Sequence, residues 1–198
     1  MTLSKIQKKS GFSLVETLVA IAILMIAVVG PMTLAWSSIA ASNDARNEIT
    51  ATYLAQESLE YVRNIRDGII VNNYTSGTTD ITSGTTDEFP GAALVDCYTT
   101  SDCDISPNQP SPIIACTSGS GLTLTNGDIV CPLYTVVADG YKVYTSASIF
   151  GGIPSIFYRS TKITPGVSGD EYIVTTTVHW KNHNRDRIIR LSTVLYNY

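Results

Sequence analysis

The sequence predicts an α+β fold in which one long N-terminal α-helix packs on an antiparallel β-sheet. Residues 12–41 are almost entirely apolar, residues 42–66 repeat apolar side chains at helical spacing, and the C-terminal third alternates apolar and polar residues as strands do. Charged residues make up only 15% of the 198 residues. This composition is typical of a folded domain and excludes a disordered chain.

Residues 1–11 form a basic leader that contains lysines and no acidic residue. Residues 12–41 follow as an apolar run. As a helix, the stretch from Phe12 to Trp36 is about 37 Å long, enough to cross a bilayer core of ~30 Å. Lysines before such a run predict a cytoplasmic N-terminus and a single membrane pass.

Glu16 distinguishes this run from an ordinary secretory signal. Such a signal has a shorter apolar region that closes at a small-residue cleavage site, whereas this run is long and carries an acidic residue near its start. A carboxylate inside a bilayer segment is costly and is usually paired. Glu16 is therefore a candidate functional residue, and a plain membrane anchor remains an alternative.

The junction from Gly11 to Glu16 reads GFSLVE. It resembles the prepilin peptidase site of type IV pilins and type II secretion pseudopilins. The resemblance implies cleavage after Gly11, methylation of the new amine of Phe12 and retention of the apolar segment. It also implies that Glu16 meets the Phe12 amine of a neighbouring subunit, a pairing that lowers the desolvation cost of the buried charge and sets axial register.

The same resemblance implies the type IV pilin fold and a structural role as a minor pilin or pseudopilin. The implied partners are other pilin subunits, prepilin peptidase, the inner-membrane assembly machinery and, before assembly, the lipid bilayer. The chain would be stored in the inner membrane with its C-terminal domain outside the cytoplasm, and would then enter an extracellular pilus or a periplasmic pseudopilus. A pilus-tip adhesin or DNA-uptake receptor, and a membrane-anchored surface protein that never polymerises, are the alternatives.

The helix is expected to extend over residues 12–66. Pro31, preceded by Gly30, predicts a kink or a melted stretch, because proline removes a backbone hydrogen bond and clashes with the preceding turn. Residues 42–68 form the amphipathic half of the helix, and Gly68 predicts its C-terminal end. The apolar positions of this half are Ala51, Leu54, Ala55, Leu59, Val62 and Ile65.

Residues 69–132 are predicted to be a variable loop region. Within it the segments 75–80 and 82–87 both read TSGTTD, a polar repeat that predicts an exposed loop.

The loop region holds all four cysteines, Cys97, Cys103, Cys116 and Cys131. They form no CxxC pair and no zinc-ligand spacing with histidine. An even count after an export segment predicts disulfides. Three pairings are possible; short loop closure favours Cys97–Cys103 and Cys116–Cys131, and free thiols are the alternative.

Residues 133–198 are predicted to form an antiparallel sheet of four or five strands. The hairpin signal is Asp139-Gly140 between two apolar runs. The predicted strands are Leu133–Ala138, Tyr141–Ile149, Ile156–Thr164, Glu171–Lys181 and Arg187–Asn197.

No catalytic residue, cofactor or metal site is predicted. The sequence has no phosphate-binding loop, nucleophile elbow or dinucleotide fingerprint. His179 and His183 are four residues apart, but they fall on a strand and its turn, where helical ligand geometry is absent. The residue patterns therefore do not predict an enzyme.

The chain is acidic, with a formal net charge of −4, which disfavours general nucleic-acid binding. Residues 179–190 are an exception that combines cations with Trp180. A cationic hairpin of this kind could contact DNA, but a solvated hairpin tip, or contact with an acidic face of a neighbouring subunit, is favoured. The candidate contact residues are Lys181, Arg185, Arg187 and Arg190.

Overall fold

The computed structural model describes residues 11, 13–76, 89–91, 94–100, 102–109, 111–119, 121–138, 140–146, 152–167, 170–182 and 185–196. The chain divides into two compact units, Met1–Arg46 and Asn47–Tyr198. The predicted α+β fold is confirmed, since a long N-terminal helix is followed by an antiparallel sheet. Most of the TSGTTD repeat lies outside the described residues.

Helix α1 spans Leu14–Ser76. It continues through Pro31, so of the two predicted alternatives, a kink or a melted stretch, the melted stretch is wrong. A proline removes only one backbone hydrogen bond, and the helix continues on both sides of Pro31. The hydroxyl of Thr33 adds a local hydrogen bond to the carbonyl of Gly30 at 2.8 Å.

Helix α1 also ends later than predicted, at Ser76 instead of near Arg66. A glycine inside a helix costs about 1 kcal/mol relative to alanine, which is why Gly68 predicts an end. The apolar spacing nevertheless continues from Ile65 to Ile69, and both side chains pack against the core. Tertiary packing therefore outweighs the local preference of Gly68.

In the described part of the chain, eight strands form the sheet, more than the predicted four or five. Three of the additional elements are only two or three residues long, too short to show an alternating pattern, and they lie in the predicted loop region 69–132. A short π-helical turn, Asp96–Thr100, precedes them. The strands are β1 (Cys103–Ile105), β2 (Ile113–Ala115), β3 (Leu122–Thr123), β4 (Ile129–Ala138), β5 (Tyr141–Thr145), β6 (Ile153–Pro165), β7 (Glu171–Asn182) and β8 (Arg185–Tyr196).

Strand β6 is the centre of the sheet because it pairs with β1, β4 and β7. Strand β7 pairs along its whole length with β8, and β5 pairs with β4. All of these pairings are antiparallel. The β4–β5 hairpin turns at Gly140, whose φ of +82° is a conformation that favours glycine.

One face of the sheet packs on the second half of α1. Apolar and polar residues alternate along β7 and β8, as predicted for the C-terminal third, so the apolar side chains lie on this face. The predicted apolar positions of α1 from Ala51 to Val62 are all buried. One core cluster contains Ala51, Leu54, Ala55, Leu133, Phe157, Val178 and Trp180. A second contains Leu59, Val62, Phe89, Leu94, Cys97, Cys103, Ile105, Ile163, Val174 and Leu195.

Two disulfides connect the cysteines, Cys97 with Cys103 and Cys116 with Cys131, the connectivity that short loop closure favoured. The Cα atoms of these pairs lie 4.9 and 5.2 Å apart, within the ordinary range for a disulfide. Cys97 and Cys103 belong to the core cluster around Leu59. The first disulfide is therefore packed directly beneath the helix.

A fully buried guanidinium, that of Arg159 on β6, joins the helix to the start of the sheet. Its Nε donates to Asp104 Oδ1 at 2.6 Å. Its Nη1 donates to the Leu54 carbonyl at 3.0 Å and to Glu57 Oε2 at 2.8 Å, both on α1, and its Nη2 donates to the Ile105 carbonyl. A single side chain thus bridges α1, β1 and β6.

The charge of Arg159 is maintained by its partners. Burial alone would lower the pKa of Arg159, but the Asp104 carboxylate and then the Glu57 carboxylate outweigh burial and raise it. Buried ion pairs of this kind are often near neutral for stability as a whole, yet the loss of one partner leaves a buried charge uncompensated. If Arg159 were lost, the carboxylate of Asp104, which is also fully buried, would be left without a counter-charge.

We expect Arg159→Met to lower the free energy of unfolding by about 3–5 kcal/mol, because the buried Asp104 carboxylate would lose its counter-charge. The matched control is Arg190→Met, which breaks a half-exposed pair with Asp128 and should cost about 1 kcal/mol or less. Denaturant unfolding of the detergent-solubilised chain measures both. Equal losses in the two variants would contradict the bridging role of Arg159.

Asp102 is a second buried carboxylate near the sheet. Its Oδ2 accepts the backbone N–H of Ile129 at 2.8 Å, and its Oδ1 lies 3.8 Å from Lys162 Nζ. Burial raises the pKa of Asp102 above its ordinary value, and the Ile129 hydrogen bond and Lys162 offset only part of this rise. Folding therefore favours the protonated carboxyl.

The stability that Asp102 contributes is present below its ordinary pKa of ~3.9 and is lost as the pH rises through the raised pKa. Asp102→Asn carries no such charge, so its stability relative to the wild type should increase as the pH rises above about 4, by at most ~1.4 kcal/mol per pH unit. Thermal unfolding across this range, with the exposed Asp170→Asn as control, measures the gain. A difference that does not change with pH would refute the assignment.

Candidate functional site

The N-terminal segment begins with exposed backbone. Gly11 is exposed, lies outside the helix, and has nothing within 4 Å of the position a Cβ would take. The carbonyl of Ser13 accepts hydrogen bonds from the backbone N–H groups of Glu16 at 3.0 Å and Thr17 at 3.2 Å, which starts α1. The bond after Gly11 therefore follows an accessible residue just before a helix. Phe12 and residues 1–10 lie outside the described residues.

Glu16 lies in the first turn of α1 and is exposed. A carboxylate near a helix N-terminus interacts favourably with the helix dipole. From residue 12 to residue 43 Glu16 is the only charged side chain in the sequence. The first turn thus presents one negative charge beside an otherwise apolar surface.

The apolar side chains of α1 from Leu14 to Ile39 are exposed all around the helix. Leu24 is 64% exposed, Ile26 76% and Leu34 71%. The described chain has one helix that is long and apolar enough to cross a membrane, and none of its most apolar window is buried. Exposed apolar surface of this extent marks a membrane or protein contact.

The four cations predicted as one patch divide between the two faces of the β7–β8 hairpin. Arg187 is opposite Trp180 and Arg190 is opposite Thr177, and cross-strand partners share a face while successive residues alternate. Arg185 and Arg187 therefore lie on the face that carries Trp180. Lys181 and Arg190 lie on the other face.

Arg190 is further separated from the others by an ion pair, because its Nη2 lies 3.2 Å from Asp128 Oδ2. Lys181, Arg185 and Arg187 are exposed and remain together near the tip of the hairpin. The structure therefore brings three of the four predicted residues to one place.

His179 has a structural partner. Its ring is buried and its Nε2 lies 3.2 Å from Asp186 Oδ1, while His183 lies outside the described residues. Among the residues that the structure describes, no group of three histidine, cysteine or acidic side chains could hold a metal ion. Asp102 and Asp104 instead accept the internal hydrogen bonds described above.

A groove of about 410 Å³, which no sequence pattern indicated, lies beside α1. Its lining includes Tyr53, Glu57, Lys142 and Tyr144. The two charged groups already have partners in the chain, since Glu57 accepts a hydrogen bond from Arg159 and the ammonium of Lys142 lies 5.6 Å from the centre of the Tyr144 ring. The charged residues of the groove therefore stabilise the fold, and its lining does not indicate a ligand.

A family model described as the prokaryotic N-terminal methylation motif matches residues 6–30. The chain carries the type IV pilin signature. The matched segment contains Gly11, Phe12 and Glu16 and extends along the exposed apolar helix to Gly30. No curated protein and no solved structure matches the chain.

The pilin signature indicates a structural protein that prepilin peptidase processes and that has other pilin subunits as partners. The exposed apolar helix fits a membrane-anchored protein that later enters a pilus. The signature at residues 6–30 and the exposed apolar surface thus overlap on the first part of α1.

Proposed function

We propose that this chain is a minor pilin or pseudopilin, a structural subunit of a type IV pilus or a type II secretion-like filament. Prepilin peptidase cleaves it after Gly11, and the new amine of Phe12 is methylated. The mature chain is stored in the inner membrane with its C-terminal unit outside the cytoplasm. Assembly machinery then moves the apolar helix from lipid into the filament.

The observation that carries this proposal is the exposed apolar surface that follows the signature. Each fully covered Leu, Ile or Val side chain contributes about 1.5–3 kcal/mol, so a helix exposed on all sides needs cover along its whole apolar length. Lipid supplies that cover in the stored state. The helices of other subunits supply it in a filament, where close packing replaces lipid.

Glu16 is proposed to give the assembly its register. A carboxylate among apolar helices is costly unless a cation meets it. The Phe12 amine is created four residues away, about 6 Å along a helix, and the same amine on a neighbouring subunit is an available cation. This role follows from the resemblance of the N-terminus to pilins.

A DNA-uptake receptor has less support than a structural subunit. Arg190 lies on the opposite face from Arg185 and Arg187 and is paired with Asp128. The nucleic-acid surface indicated by the sequence would need all four cations available to phosphates, whereas Arg190 is held by Asp128.

Processing is the first test of this proposal. The mature protein purified from cells with an active peptidase should lack residues 1–11 and should carry one additional methyl group, because cleavage after Gly11 exposes the amine of Phe12. Intact-mass measurement reads both changes. The variant Gly11→Leu should keep the leader, and a full-length wild-type mass would contradict the proposal.

Glu16→Ala should enter the membrane normally but be depleted from filaments. Loss of one partner of a buried charge pair costs about 3–5 kcal/mol, so we expect at least a tenfold fall in incorporation, a factor that needs only ~1.4 kcal/mol. Quantitative immunoblots of membrane and sheared-filament fractions measure the ratio.

Two further variants make this test specific. Glu16→Gln keeps the shape of the side chain without its charge and should fail like Glu16→Ala. Thr17→Val changes the adjacent polar side chain and should assemble normally. Normal incorporation of Glu16→Gln would show that the charge is dispensable and would favour a simple membrane anchor.

A further inference from the structure

The tip of the β7–β8 hairpin lies at the end of the C-terminal unit where α1 enters it. Ala51 shares a core cluster with Val178 and Trp180, whereas Val62 shares the other cluster with Val174. Strand β7 therefore runs antiparallel to α1, and its end points toward the first residues of the unit. Strand β8 begins at this same end.

The level of the tip along α1 follows from the strand and helix rises. The outermost cross-strand pair, Asn182 with Arg185, lies two residues beyond the pair of Trp180 with Arg187, a distance of about 7 Å along a strand. The same distance corresponds to about four or five residues of helix. Counted back from Ala51, the tip is level with about Asn47, the first residue of the unit.

This tip carries three exposed cations, Lys181, Arg185 and Arg187. Arg185 and Arg187 make no ion pair with any residue that the structure describes. The one acid between them, Asp186, lies 3.2 Å from the buried ring of His179. The tip therefore presents guanidinium groups on one face and an ammonium group on the other.

The chain itself limits how far this unit can be from the apolar run. Residues 42–46 are the only ones between Ala41, where the run ends, and Asn47. Six Cα–Cα steps span at most about 22 Å even when fully extended. The run from Leu14 to Ala41 is longer as a helix than a ~30 Å bilayer core, so tilting can bring Ala41 to the headgroup level.

We propose that Lys181, Arg185 and Arg187 bind the phosphates of anionic lipid headgroups while the subunit is stored in the membrane. This inference rests on the proposed membrane storage. Guanidinium groups match phosphate oxygens in a bidentate geometry, and basic groups next to a membrane segment are attracted to anionic lipid over about a Debye length. Release of the contact would accompany extraction of the helix into a filament.

Lipid phosphate is favoured over nucleic-acid phosphate because the covalent chain keeps the bilayer within reach of the tip. DNA would have to be captured from solution by a mature chain with a formal net charge of −7, since cleavage removes three of the 13 basic residues and none of the 17 acidic ones. The fourth predicted cation, Arg190, does not belong to this surface, because it is paired with Asp128.

Hydrogen exchange of the full mature chain in nanodiscs tests the proposal. We compare discs of phosphatidylcholine alone with discs that also contain phosphatidylglycerol. Amides of residues 179–190 should exchange at least about fivefold more slowly in the anionic discs, because each basic residue close to an anionic membrane strengthens binding by roughly this factor. About 1 M NaCl should abolish the difference, because the Debye length falls to ~3 Å and exposed charges farther apart than this are screened from each other.

The double variant Arg185→Gln with Arg187→Gln should lose this protection. The matched control is Arg66→Gln with Lys162→Gln, which removes two cations away from the tip and should keep it. Both pairs of substitutions change the net charge equally. Equal exchange in the two kinds of disc, or loss of protection in the control, would overturn the proposal.

Two further readouts separate the possible failures. Co-purification of the chain with the nanodisc measures membrane anchoring by itself, so failure of the proposed storage is distinguishable from failure of the lipid contact. A duplex oligonucleotide added to phosphatidylcholine discs should leave exchange of residues 179–190 unchanged. Protection by the duplex, without protection by phosphatidylglycerol, would overturn the lipid assignment in favour of a nucleic-acid surface.

Discussion

The constraint on which the rest of this protein depends is an apolar helix that the chain does not cover. From Leu14 to Ile39 the side chains of α1 are exposed, and water is an unfavourable solvent for such a surface. Either lipid or other helices must therefore cover this surface both before and after assembly. In the proposed filament, Glu16, the only charge in this stretch, would require a cationic partner because water is absent there.

The C-terminal unit packs a sheet and a disulfide-linked segment on the second half of the same helix. Apolar packing supplies most of the buried area, but it is not directional and does not fix how the segment around β1 is oriented. Arg159 fixes this orientation, because it donates hydrogen bonds to defined positions on α1 and β1. The Cys97–Cys103 disulfide then joins β1 to the preceding π-helical turn within the same core cluster.

The helix and the long C-terminal strands were predictable because their apolar periods persist over ten or more residues. Strands β7 and β8 lie within one or two residues of the predicted bounds. Strands β1 to β3 were not predictable, since two or three residues carry no period. Arg159 was missed for another reason: its partners, Asp104 and Glu57, are 55 and 102 residues away in sequence. The four cations were found, but only strand register revealed that they lie on two faces.

The most direct test of membrane storage followed by filament assembly is to identify what covers the apolar helix in each location. A photo-crosslinking amino acid at Ile23, which is 62% exposed, can be activated in the membrane fraction and in sheared filaments from the same cells. Storage in the membrane followed by assembly predicts lipid adducts in the membrane fraction and crosslinks to other chains with the pilin signature in the filament fraction. A chain that gives only lipid adducts and never enters the sheared fraction would contradict it.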